Sequence, residues 1–138
     1  MTDRSELEST VQTIYKARQD NDIDALMAFF DPACSFRIVG SDRLGSMTQT
    51  VDDSESLRIA MTRFMDNWDF SKLKTTSLHV DGDTVFAHRS GQVRFIPSDV
   101  WNNTEFIDKF TFKDGLVVDL AEFIDTLQVA ETMGLVKS

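Results

Sequence analysis

Apolar residues recur at helical spacing in the first half of the chain and alternate in the second half. Leu7, Val11, Ile14 and Tyr15 follow Ser5-Glu6-Leu7-Glu8, a capping-box pattern, and predict a first helix running to about Gln19. Asp22 caps a short second helix carrying Ile23, Leu26, Met27 and Phe30, with Pro32 as its stop. Residues 33–39 read as a strand, and a polar loop follows through Gly40, Gly45 and Thr50. Asp52 and Glu55 form a second capping pattern. Leu57, Met61, Phe64, Met65 and Trp68 then make the apolar stripe of a third helix ending near Trp68.

Beyond Trp68 the period changes to two. Residues 72–80 alternate, Asp81-Gly82 is a hairpin signal, and 85–96 form the return strand, closed by Pro97. Residues 104–112 place Phe106, Asp108, Phe110 and Phe112 on one face. Lys113-Asp114-Gly115 is a turn, and 116–124 form the last strand. Asp125 and Gln128 fit the start of a short terminal helix that ends before Gly134. Helices first and a strand meander afterwards predict one α+β domain, with the helices on one face of an antiparallel sheet. A curved sheet wrapped around three helices makes a cone. A ligand would sit between the third helix and the sheet; an open cavity there of roughly 300 Å³ or more would favour an enzyme or a binding module over a filled scaffold.

Composition narrows this picture. The 138 residues suit a single domain spanning 1–138, and at 41% hydrophobic they supply a packed core. Nearly all the aromatic content is Phe, eleven of them, which gives bulk without a hydrogen-bonding group. A net charge of −9 and no basic stripe argue against a nucleic-acid partner. Cys34 is the only cysteine, so no internal disulfide forms, and it reads as a small buried hydrophobe. No His or Cys cluster has zinc spacing, so neither metal nor cofactor is expected. The polar start Met1-Thr2-Asp3-Arg4 leads directly into a helix and carries no secretion signal. No run is long enough to cross a membrane, and the cytoplasm is the default compartment. Without a secretion signal, the acceptor pattern Asn102-Asn103-Thr104 reads as a loop.

Asp108 stands out chemically. A carboxylate between Phe106 and Phe110 on a core-facing strand pays heavily for ionisation, so its pKa is expected to rise and leave a neutral hydrogen-bond donor. The other reading turns this face to solvent or to a partner subunit. Glu122 points inward if Leu120 and Ile124 share its face, but Ala121 and Phe123 are an alternative buried set. Two converging carboxyls in apolar surroundings suit acid–base chemistry. Arg89 shares a face with Val85, Ala87 and Val93, and an inward Arg89 would pair with Asp108 or Glu122. Its neighbour His88 would then face outward. Tyr15, Phe36, Phe64 and Trp68 are candidate walls of a pocket, and equally plain core.

The order of these segments resembles the superfamily of ketosteroid isomerases, limonene epoxide hydrolases, scytalone dehydratase and SnoaL-like polyketide cyclases. This is the cystatin-like, nuclear transport factor two-like cone. The resemblance rests on Asn21-Asp22-Ile23-Asp24-Ala25-Leu26 with Phe29-Phe30-Asp31-Pro32-Ala33, on Phe110-Thr111-Phe112-Lys113-Asp114-Gly115-Leu116-Val117, and on Glu122-Phe123-Ile124-Asp125. It implies that Asp108 matches the protonated Asp of the isomerases, in Ile107-Asp108-Lys109-Phe110, while Ile38 stands at their base position and Ile14 at their helix Tyr. It implies that Arg89 and Glu122 match the Arg and the water-activating carboxylate of the epoxide hydrolases. Gly91, Phe36 and Ile38 replace other members of that set. It further implies a homodimer through the sheet.

The expectation for function is a cofactor-independent acid–base enzyme acting on a small, mostly apolar molecule. Asp108 would be the acid, Glu122 the base, and Arg89 their support. Tyr15, Phe36, Ile38, Phe64, Trp68 and Phe110 would line the pocket. The rivals are a non-catalytic binding module, and a dimeric scaffold whose cone is filled by its own side chains.

Overall fold

The computed structural model describes residues 3–137, so Met1 and Thr2 of the polar start lie outside it. Helix α1 spans Arg4–Gln19 and buries Leu7, Val11, Ile14, Ala17 and Arg18. Its N-cap is Asp3, which makes no side-chain capping bond, so the expected Ser5 capping box does not form. Helix α2 spans Ile23–Met27, and Asp22 caps it by accepting from the Ala25 N–H. Helix α3 spans Ser54–Asn67. Its cap is Asp53, one residue beyond the expected Asp52, accepting from the Ser56 N–H at 2.7 Å.

Five strands follow or interleave: β1 Phe30–Ile38, β2 Trp68–Asp81, β3 Thr84–Phe95, β4 Val100–Lys113 and β5 Leu116–Phe123. A short helix α4, Thr126–Thr132, closes the chain, capped by Asp125 as expected. The sheet order is β1-β5-β4-β3-β2. β1 runs parallel to β5, whereas the other pairs are antiparallel, so the sheet is mostly rather than wholly antiparallel. α1 packs on β2 and β3, and α3 on β1 and β2, which puts the core between the helices and one sheet face.

Several boundaries differ from the sequence reading for local reasons. β1 starts at Phe30, before Pro32. Pro32 is tolerated there because β1 is an edge strand whose register shifts between Phe30 and Ser35. β2 begins at Trp68 with no loop after α3, since the long β2–β3 hairpin already pairs Trp68 with Phe95. Asn102 lies in β4, not in a loop, and its Nδ2 donates to Thr132 Oγ1 at 2.9 Å. The polar loop after β1 contains 3-10 turns over Asp42–Thr48. At the β4–β5 turn, Asp114 and Gly115 both take positive φ, as a type I′ hairpin demands. At Gly91, φ is +141°, and a Cβ would come within 2.3 Å of the Lys72 carbonyl oxygen. Any side chain at Gly91 would press on the β2 backbone, so the position that the hydrolase resemblance aligns with an acid has no room for one.

Candidate active site

The inward faces of the strands place the chemistry. On β4, Phe106, Asp108, Phe110 and Phe112 are all buried, Asp108 to 4% exposure. On β3 the inward set is Val85, Ala87, Arg89 and Val93. On β5, Leu120, Glu122 and Ile124 line the cavity while Phe123 is exposed, which resolves the register left open by the sequence. Asp108 and Glu122 are direct cross-strand partners. Ile107 and His88 point outward, His88 bonding Glu105 at 2.9 Å.

These side chains border a cavity of about 110 Å³. It is open rather than filled, but smaller than the roughly 300 Å³ typical of a ligand pocket. One buried water needs roughly 10–15 Å³ of such space, so the cavity has room for a compact organic molecule. Asp108, Glu122, Arg89, Tyr15, Ile38, Phe64, Trp68 and Phe110 all line it. Phe36 does not: it is buried beneath Phe64, ring centroids 5.8 Å apart and edge to face, and its backbone bridges Val51. Phe36 is therefore core rather than wall.

Tyr15 donates its hydroxyl to Asp108 Oδ2 at 2.6 Å. Such a bond to a charged acceptor contributes about 1.5–3 kcal/mol. Burial pushes the phenol well above its ordinary pKa, with the Asp108 charge adding to this, so Tyr15 stays a donor. Asp108 and Glu122 face each other across the β4–β5 pair, and each carboxyl shifts the pKa of the other. Asp108 Oδ1 is buried and has no hydrogen-bond partner among the described residues. Burial raises the pKa of both acids. For Asp108 the bonds from Glu122 and Tyr15 and the charge of Arg89 oppose that rise. For Glu122 the negative charge of Asp108 adds to it, and Glu122 is carried well above the usual carboxylate range. The Tyr15 hydroxyl favours the anion on Asp108, and a negative charge there favours the proton on Glu122.

Arg89 faces inward, 8% exposed, but does not make the expected ion pair with either acid. Its strand neighbours are Thr75 on β2 and Phe106 on β4, so Asp108 is only a diagonal neighbour. Nη1 donates to Thr75 Oγ1 at 2.8 Å, and the guanidinium carbon lies 3.8 Å from the Tyr15 ring centroid.

The sequence reading missed Arg18. It is 8% exposed, lines the cavity and donates to the carbonyls of Phe64 at 3.1 Å and Trp68 at 2.8 Å. Its guanidinium lies 4.2 Å from the Phe70 ring centroid, and burial lowers its pKa to about 10. Thr104, Gln128 and Val129 were missed as lining residues too. α4 lies across this end of the cavity, with Gln128 Nε2 donating to the Asn103 carbonyl at 3.0 Å. Cys34 is fully buried, its thiol pushed up to about 12 by burial, and has no role here. No cluster of three metal-ligating side chains occurs, and no helix is long and apolar enough to cross a membrane, among the described residues.

The comparisons with known proteins agree with this architecture. An isomerase candidate from Bacillus subtilis is 14% identical, with a TM-score of 0.84 over 97% of this chain and 96% of that one. A SnoaL-like polyketide cyclase candidate from Jannaschia sp. CCS1 is 18% identical, TM-score 0.77, over 95% and 96%. TerC, crystallised with polyporic acid, is 14% identical, TM-score 0.77, over 94% and 98%. At these identities the similarity is one of fold. No curated protein sequence matches the chain. The SnoaL-like domain model matches residues 11–120, most of the chain. By that match, and by its α+β architecture on the nuclear transport factor two-like fold, the chain belongs to the SnoaL-like domain family.

Proposed function

We propose that this chain is a cofactor-independent acid–base enzyme, of the isomerase, cyclase, dehydratase or hydrolase type, acting on a compact and mostly apolar molecule in the cavity. The observation that carries the reading is the cross-strand Asp108–Glu122 pair, with Tyr15 bonded to Asp108, on the wall of an otherwise largely apolar cavity. Two carboxyls with one proton between them offer an acceptor and a donor in one place. In this reading Asp108 is the base, accepting a proton from a substrate carbon or a water. Glu122 is the acid, giving its proton to a developing oxygen anion. The Tyr15 hydroxyl holds Asp108 as the anion. Fold neighbours described as an isomerase candidate and a cyclase candidate fit the same chemistry.

The test is a screen of small ketones, enols and quinones for quenching of Trp68, in a Trp101→Phe background, followed by NMR of each ligand in deuterium oxide. Trp68 and Trp101 are the only tryptophans. The expected result is deuterium uptake beside a carbonyl, or turnover, for at least one ligand. Ligands that bind with flat affinity from pH 5 to 8 and never exchange or react would leave a binding module instead.

For assembly we propose a homodimer through the outer sheet face. Ile107 and Phe123 are cross-strand partners there and remain 40% and 46% exposed. Light scattering at micromolar concentration is expected to give twice the chain mass, and a monomer mass would overturn this.

A further inference from the structure

The cavity carries an excess of positive charge, although the chain as a whole is acidic at −9. Two guanidinium groups line it, Arg18 and Arg89. Neither forms an ion pair among the described residues. Arg18 is bonded to Asn21 Oδ1 and to two backbone carbonyls, and Arg89 to the Thr75 hydroxyl, all neutral acceptors. Arg89 Nε is buried and has no acceptor at all. The only acids lining the cavity are Asp108 and Glu122. Two carboxyls opposite each other on neighbouring strands in an apolar cavity do not both ionise, so together they bring one negative charge against two positive ones. A buried, unbalanced positive charge is costly unless something negative joins it.

A second observation points the same way. Tyr15 and Arg89 also line an outer groove of about 300 Å³ between α1 and β2. Lys16 and Lys74 flank that groove; Lys16 is paired with Asp20 at 2.8 Å, which leaves Lys74 beside Arg89 as its unpaired charge among the described residues. A positive approach on an acidic protein attracts small anions toward the wall shared with the cavity.

We infer that the ligand of this cavity is a compact apolar molecule bearing one anionic oxygen, such as a carboxylate, phenolate or acidic enolate, which completes the hydrogen bonding of Arg89. The inference rests on the proposed use of the cavity as a substrate site and specifies the class of substrate. Arg89 is then a substrate-binding residue rather than a support for the acids. Arg18 contributes its charge while clamping the end of α3.

Benzoate and benzamide test this, because they match in size and shape and differ in charge. Their dissociation constants are measured by NMR titration at pH 7.5, at low salt, in the wild type, Arg89→Met and Arg89→Lys. Benzoate is expected to bind about 10- to 100-fold more tightly than benzamide. Arg89→Met is expected to bring that ratio to about one, and Arg89→Lys to restore part of it. Equal binding of the two probes by the wild type would overturn the anion assignment and leave the acid–base reading intact. A preference that survives in Arg89→Met would overturn the role of Arg89. Saturable binding of neither probe, with benzoate shift changes absent at tens of millimolar, would remove the ligand site and both readings with it.

Discussion

An Asp108→Asn variant is expected to lose about 10²- to 10⁴-fold in kcat on any substrate the wild type turns over, while folding normally. The amide is nearly isosteric and keeps an oxygen for the Tyr15 hydroxyl, so the 2.6 Å bond has a replacement. It has no negative charge and cannot accept the substrate proton. KM should change little, because the loss falls on the transition state rather than on binding. The pH profile of the wild type follows from the same pair. Asp108 must be ionised and Glu122 protonated, so activity falls on the acid side through a pKa above the ordinary 3.8 of an Asp. It falls on the alkaline side through one well above the ordinary 4.5 of a Glu. An unchanged kcat in Asp108→Asn would remove Asp108 from the mechanism.

The second large effect is one of stability with an opposite sign to activity. Glu122 holds its proton in the folded protein well above the pKa it has in the unfolded chain. Below about pH 4.5 both states carry the proton and nothing is lost. As pH rises, the unfolded chain releases it while the folded chain does not, so stability drains until the folded pKa is passed. Glu122→Gln has no proton to release and still offers an N–H to Asp108. Its Tm relative to wild type is expected to climb by on the order of 3–8 °C between pH 5 and pH 8, with activity lost over the same range. Taking the difference between the two proteins cancels the titration of groups that do not interact with Glu122. A difference that stays flat with pH would mean that Glu122 ionises normally.

Much of this site is readable from the chain, and the parts that are not have physical reasons. Asp108 is legible because period-two alternation puts it between Phe106 and Phe110, and the burial of that face decides against the solvent-facing reading. Arg89 is legible by the same alternation, yet its partner is not. Only the pairing of β3 with both β2 and β4 shows that Thr75, rather than either acid, lies beside it. Glu122 stays ambiguous in sequence because Leu120 with Ile124 and Ala121 with Phe123 are both apolar sets. Pairing with Asp108 decides between them.

Arg18 had a signal that was available. It continues the stripe of Leu7, Val11 and Ile14 at helical spacing, so it lies on the buried face of α1. An arginine in the last turn of a helix ordinarily reads as a solvated partner of the helix dipole, which hides it. Phe36 shows the converse error. It shares a face with Cys34 and Ile38, all buried, and periodicity cannot tell which depth along a strand reaches an open cavity. The order of ionisation is likewise invisible in sequence, because it depends on where one hydroxyl of α1 lands across the core.

The account turns on a single proton shared by Asp108 and Glu122. Infrared difference spectroscopy between wild type and Glu122→Gln at pH 7, in the carbonyl-stretch region of protonated carboxyls, observes it directly. The predicted result is a protonated, buried carboxyl band present in the wild type and missing from the variant. A wild-type protein with no protonated carboxyl at that pH would contradict the account.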